Sequence, residues 1–151
     1  MAELSTAEVL ARVPHRPPFR FLDEIVELDD EHIVATYRFP PEADFYRGHF
    51  PERPVTPGVL LVEAMAQAAV VAHGVYLLAK TLPLDEVARG LCLFTAANVE
   101  FASMVPPGER VTIHGRKMFL RRQTLRSAVE MTGSDGRLVC SGTLAGMRVP
   151  A

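Results

Sequence analysis

Residues 48–67 read Gly48-His49-Phe50-Pro51-Glu52-Arg53-Pro54-Val55-Thr56-Pro57-Gly58-Val59-Leu60-Leu61-Val62-Glu63-Ala64-Met65-Ala66-Gln67. The first half is a loop dense in Pro and Gly. The second half opens an apolar run that continues to Ala79. Thr56 is the expected N-cap, with Pro57 at the first helical position, because a side-chain oxygen and a residue without an N–H both suit a helix start. The helix is expected to run to about Lys80. It is apolar on almost every side, so other structure must surround it. Glu63, Gln67, His73 and Gly74 interrupt the run, which argues for a buried helix of a soluble fold and against a membrane span. A carboxyl group at Glu63 needs a partner or a proton in such surroundings. His49, fourteen residues earlier on the rigid loop, is the candidate partner.

The flanking segments say what surrounds the helix. Ser5-Thr6-Ala7-Glu8 has capping-box spacing and predicts a short helix over 6–12. Segments 21–28 and 32–39 read as strands joined by Asp29-Asp30-Glu31. Residues 40–56 form an irregular connection with four prolines, a length that is uncommon in a compact domain and often functional. Four further strands are expected at 91–104, 110–120, 124–132 and 138–149. Their connections are Pro106-Pro107-Gly108, a short turn near Arg121-Arg122-Gln123, and Gly133-Ser134-Asp135-Gly136, which ends in a hairpin signal. Two strands, one buried helix and four strands fit an α+β architecture: a six-stranded antiparallel sheet curled around one long helix. A sheet of that size covers only part of the helix, so a second copy of the chain is expected to cover the rest.

At 151 residues the chain is expected to be a single domain, 1–151. A composition 48% hydrophobic and 23% charged supports a real core and excludes a disordered chain. A net charge of −2 lacks the basic footprint of a nucleic-acid binder. Cys92 and Cys140 stand in no spaced motif and are expected to be free thiols, which fits a reducing cytoplasm. The N-terminus shows no basic segment followed by an apolar one, so no secretory signal is read there. The histidines share no metal-ligand spacing, so neither a metal nor a cofactor is expected.

Several segments resemble one family. Pro14-His15-Arg16-Pro17-Pro18-Phe19, Gly48-His49-Phe50-Pro51, Arg53-Pro54-Val55-Thr56-Pro57-Gly58-Val59 and Glu63-Ala64-Met65-Ala66-Gln67 look like the FabZ-type beta-hydroxyacyl-acyl carrier protein dehydratases. Val99-Glu100-Phe101, Val105-Pro106-Pro107-Gly108-Glu109 and Arg137-Leu138-Val139-Cys140 extend the likeness, which covers roughly residues 13–148. It implies the hot-dog fold and a dimer with two active sites at the subunit interface, each taking His49 from one chain and Glu63 from the other. A homodimer, a trimer of dimers and a heterodimer with a related hot-dog chain remain open. The implied reaction removes water from a (3R)-3-hydroxyacyl thioester on the phosphopantetheine arm of an acyl carrier protein. The product is a trans-2-enoyl thioester, made in fatty-acid synthesis or a related polyene or polyketide route.

Three tasks follow from that reaction. An imidazole, with an ordinary pKa near about 6.5, suits removal of the proton beside the thioester carbonyl; His49 is the expected base. Burial raises a carboxyl pKa, so Glu63 is the expected acid toward the departing hydroxyl. The resemblance assigns the Gly58 N–H to the carbonyl oxygen, at a helix N-terminus where backbone donors are free. Val59 beside it, Phe50 as a wall, and Gln67, one turn beyond Glu63 and placed to orient it, complete the expected binding residues. Phe19, Phe21, Met65 and Phe94 are candidates for an acyl channel. The strand residues 100–104 carry no basic group for an acidic carrier, whereas Arg116, Lys117, Arg121, Arg122 and Arg126 gather around one hairpin. Two rivals share the fold: a thioesterase, and a non-catalytic subunit that pairs with an active relative.

Overall fold

The computed structural model describes residues 1–150. Helix α1 spans Thr6–Arg12, and both halves of the capping box form: Ser5 Oγ accepts from the Glu8 N–H, and Glu8 accepts from the Ser5 N–H at 3.1 Å. Strands β1 (Glu24–Leu28) and β2 (His32–Arg38) make an antiparallel hairpin. Its turn is closed by the Asp29 carboxylate, which accepts from the backbone of Glu31 and His32. The first strand begins later than the expected residue 21, for a nonlocal reason. Phe21 is buried, but its N–H donates to the Gln67 side chain and not to a neighbouring strand.

The central helix runs continuously through Gly58–Ala79. It comprises α2 (Gly58–Ala66), a π-helical segment (Gln67–Ala72) and α3 (His73–Ala79). It starts one residue later than expected. Pro57, at φ −57° and ψ 133°, is the cap and not the first helical residue. Thr56 does not cap; its hydroxyl shares a 2.6 Å hydrogen bond with the Tyr46 hydroxyl. The buried phenol thus takes the oxygen that a capping motif would have used. The π-helical segment has no local sequence signature. Such wide turns occur mainly as inserts in α-helices and often at functional sites. Here the buried Ser127 hydroxyl donates to the Ala69 carbonyl within it at 3.0 Å. A short helix α4 (Leu84–Arg89), opened by Pro83, follows and was not expected from sequence.

Strands β3 (Gly90–Phe101), β4 (Arg110–Arg121), β5 (Thr124–Thr132) and β6 (Leu138–Pro150) complete one antiparallel sheet in the order β1-β2-β4-β5-β6-β3. Arg122 and Gln123 turn the β4–β5 hairpin with φ of 51° and 62°, the backbone that matches strand twist in a two-residue connection. The helix packs on β2, β4, β5 and β6. Small residues allow close approach: Ala64, Ala68, Ala69 and Ala72 are fully buried. A Cβ on Gly115 of β4 would stand 2.7 Å from the Ala69 Cβ. In the core around the helix lie Ile33, Phe39, Met65, Ile113, Met131 and Leu144, all fully buried. Each such side chain contributes about 1.5–3 kcal/mol by leaving water. The architecture is the α+β hot-dog arrangement, with the sheet wrapped around one long helix.

Two further features frame the site. Glu109, at the end of the Pro106-Pro107-Gly108 turn, makes a two-pronged ion pair with Arg137, both contacts at 2.7 Å. Ser134 also donates to that carboxylate. This holds two loops together at one end of the sheet. β3 is an edge strand paired with β6 and exposes Leu91, Leu93, Phe94 and Phe101, each about half accessible. Gly58–Ala79 is apolar and long enough to cross a membrane, but 61% of its most apolar stretch is buried inside the fold. Both cysteines are free thiols.

Candidate active site

The loop before the helix is built to hold one imidazole. The 3₁₀ turn Asp44–Arg47 leads into Gly48, and the His49 and Val55 backbones then pair, with the Val55 N–H donating to the His49 carbonyl at 2.9 Å. The His49 ring returns the contact: its Nδ1 lies 2.9 Å from the Val55 carbonyl oxygen. A carbonyl can only accept, so Nδ1 carries the hydrogen. In the neutral ring the lone pair is then on Nε2. The Phe50 ring stacks on the imidazole with centroids 4.2 Å apart, and Phe50 itself is 54% exposed. Beyond it, Phe50, Val55, Ser103 and Met104 line an open groove.

Glu63 is half-buried, one and a half turns into the helix. Burial pushes its carboxyl above the usual range, and the nearby Gln67 amide partly offsets that rise. The strong hydrogen bonds of Gln67 go elsewhere: its oxygen accepts from the Phe21 N–H at 2.8 Å, and its nitrogen donates to the Phe19 carbonyl at 2.9 Å. Gln67 is fully buried and ties the 14–21 loop to the helix beside Glu63. The carboxyl opens on a small cavity of about 40 Å³ lined also by His15, Ala66, Val70, Val71, Cys92, Phe94 and Gly146. The Cys92 thiol is raised by burial first and by the Glu63 charge second. Of the four channel candidates only Phe94 borders this cavity; Met65 and Phe21 belong to the core, and Phe19 is 48% exposed.

At the helix start no side chain caps the free N–H groups of Gly58 and Val59. Val59 is 75% exposed. The Phe101 ring covers Gly58, and a Cβ there would stand 3.1 Å from it, so a larger residue would push the ring aside by a few tenths of an ångström. Within one chain, then, the structure gathers Glu63 and Gln67 on one helix face and His49 with Phe50 on the loop. His49 does not line the Glu63 cavity. His15 does, and sequence reasoning gave it no role. Its Nδ1 is buried with no partner, and burial lowers its pKa. The available signal was its place in Pro14-His15-Arg16-Pro17-Pro18-Phe19, the segment that Gln67 fastens.

Comparison with known proteins identifies the family. The model of the FabA-like domain matches residues 13–144. The 3-hydroxyacyl-[acyl-carrier-protein] dehydratase FabZ of Lactococcus lactis is 35% identical over 144 residues, 93% of this chain and 92% of that protein. FabZ of Streptococcus pyogenes (strain Manfredo) is 38% identical over 140 residues, covering 91% and 93%. Among solved structures, the dehydratase heterocomplex ApeI:P from Xenorhabdus doucetiae superposes with a TM-score of 0.74 at 16% identity, covering 93% of this chain and 90% of that one. A thioesterase from Haemophilus influenzae gives 0.68 at 14% identity, covering 99% and 93%. At these identities the two structures speak for the hot-dog fold alone. The chain belongs to the FabA-like family and groups within it with the FabZ-type 3-hydroxyacyl-acyl carrier protein dehydratases.

Proposed function

We propose that the chain dehydrates (3R)-3-hydroxyacyl thioesters carried on acyl carrier protein, giving trans-2-enoyl thioesters and water. The observation that carries this reading is the His49 Nδ1 contact with the Val55 carbonyl, which leaves Nε2 as the proton acceptor. Nε2 takes a proton from C2 of the substrate while the Gly58 N–H receives the carbonyl oxygen. The C3–O bond breaks, and the hydroxyl leaves as water with the Glu63 proton. His49 is then protonated and Glu63 ionised, and proton return from one to the other restores both. Burial favours the protonated form that Glu63 needs at the start.

His49 and Glu63 meet when the two come from different copies of the chain. The exposed apolar edge β3 and the half-open helix face beside Glu63 support a second copy there. The acidic carrier docks at the cationic β4–β5 hairpin, where Arg116, Arg121 and Arg122 are exposed. A cytoplasmic setting matches the two free thiols.

The test is incubation of the purified chain with a 3-hydroxyacyl carrier thioester, with the product followed by mass. Loss of one water with the thioester intact is the expected result. Release of free acid and thiol would identify a thioesterase. No turnover by the chain alone, with turnover restored by a related hot-dog chain, would identify a non-catalytic partner subunit.

A further inference from the structure

The Glu63 cavity shares part of its wall with another space. A second, larger cavity of about 370 Å³ lies farther along the helix, within the ~300–1,000 Å³ range of small-molecule sites. Val75 and Leu78 of α3, Val87 of α4, and Leu120 and Leu125 of the β4–β5 hairpin are among its lining residues. Four residues line both spaces: Val70 and Val71 of the helix, Cys92 of β3 and Gly146 of β6. They form a collar between the two cavities. Gly146 brings β6 against the helix there, since a Cβ on it would stand 2.7 Å from Val70 Cγ1 and 3.1 Å from Cys92 Sγ. At the helical rise, Val70 lies ~10 Å beyond Glu63 and Leu78 ~22 Å beyond it. A short acyl group therefore ends before the collar, whereas a long one has to pass it.

We infer that the collar of Val70, Val71, Cys92 and Gly146 is the chain-length selector of this site, admitting long unbranched hydrocarbon tails to the larger cavity. Aliphatic side chains supply about half of the residues lining the larger cavity, with Arg12, Arg16, Gln123 and Arg148 as its polar part; the aliphatic part suits a hydrocarbon tail. The four lining residues that this cavity shares with the Glu63 cavity make the far end of the same substrate the fitting occupant. The inference rests on the dehydratase reading, and the following measurements separate the two.

Val71→Phe and Cys92→Leu each narrow the collar, one from the helix and one from the sheet. For wild type and both variants, kcat/KM is measured with four-carbon and sixteen-carbon 3-hydroxyacyl pantetheine thioesters. Binding of hexadecanoyl-pantetheine, which has no hydroxyl to lose, is measured by calorimetry. The sixteen- to four-carbon ratio of kcat/KM is expected to fall at least ~10-fold in each variant, as pocket filling by a few methylenes does elsewhere, and hexadecanoyl binding to weaken in parallel. Circular dichroism and the thermal midpoint show that a variant is folded, and the two variants act through different elements. A ratio within twofold of wild type in both variants, or hexadecanoyl binding that is absent in wild type or unchanged in the variants, overturns the selector. Wild type that binds hexadecanoyl-pantetheine through the collar but releases no water from either substrate overturns the dehydratase reading and leaves the selector standing.

Discussion

His49 Nδ1 lies 2.9 Å from the carbonyl oxygen of Val55, so a backbone acceptor six residues away dictates which ring nitrogen carries the proton. Nitrogen NMR of the labelled protein is expected to show His49 as the Nδ1–H tautomer. His49→Ala is expected to lower kcat/KM at least ~100-fold, the low end for loss of a positioned base, with the thermal midpoint little changed. Wild-type rates in that variant would remove His49 from the mechanism.

Glu63 trades stability for chemistry. Burial raises its pKa above the ordinary 4.5, so the folded state holds the proton more tightly than the unfolded state does. Its contribution is complete below pH 4.5 and is lost as pH rises through the raised value. Glu63→Gln has no charge to desolvate. It is expected to raise the thermal midpoint at neutral pH while lowering kcat/KM at least ~100-fold, and to abolish the alkaline limb of the pH–rate profile. A lower midpoint with activity retained would contradict both roles.

His73 is a second buried titrating group, away from the chemistry. It is fully buried, and its Nε2 donates to the Asp29 carbonyl at 2.9 Å. Its Nδ1 has no partner. Burial lowers its pKa from 6.5, and Lys117 lowers it further, while the Asp29 carbonyl contact and the Asp29 and Glu31 charges act the other way. The unfolded chain therefore binds the proton first on acidification. The stability linked to His73 is present above pH 6.5 and is lost as pH falls through the lowered value. Melting curves from pH 7.5 to 5 are expected to show a fall in midpoint that His73→Gln reduces.

The Glu109–Arg137 pair is expected to be a main stabiliser of the loops beside β3. The Glu109 side chain is only 8% exposed, and its hydrogen bonds from Arg137 pull its pKa down to about 2. Its contribution is complete above the ordinary 4.5 and is lost as pH falls toward 2. Arg137→Ala strands the carboxylate and is expected to cost roughly 2 kcal/mol in urea unfolding at pH 7. Asp135→Ala, which removes an exposed partner of the same guanidinium, is expected to cost under about 1 kcal/mol.

Reversal of the hairpin charges tests carrier docking. Arg121→Glu with Arg122→Glu is expected to raise KM at least ~10-fold for a carrier-linked substrate and more at low salt, leaving KM for the matching pantetheine thioester unchanged. An equal effect on both substrates would place the hairpin outside the docking surface.

Some of this was legible from local pattern. The capping box at Ser5 and Glu8, the alternation in 124–132, and the turn at Arg122 and Gln123 are decided by groups a few residues apart, and the structure keeps all three. The apolar run from Val59 similarly announced a helix that had to be enclosed. Glu63 stood out because an ionisable group is rare in such a run. Other expectations shifted where a distant group intervened. Thr56 gives its hydroxyl to Tyr46 instead of the helix end. Gln67, one turn from Glu63, touches it as expected but also binds the backbone of Phe19 and Phe21, which no local pattern announced.

By itself, then, the sequence determined the order of elements, the enclosed helix and the identity of an imidazole and a carboxyl group worth watching, because periodicity, turns and caps are short-range. Tertiary structure alone decided the π-helical segment, the tautomer of His49, the entry of His15 into the Glu63 cavity and the four residues that line both that cavity and the next. Each of these depends on which side chains from separate strands and helices share one volume, and close packing, unlike a local motif, leaves no fixed spacing along the chain.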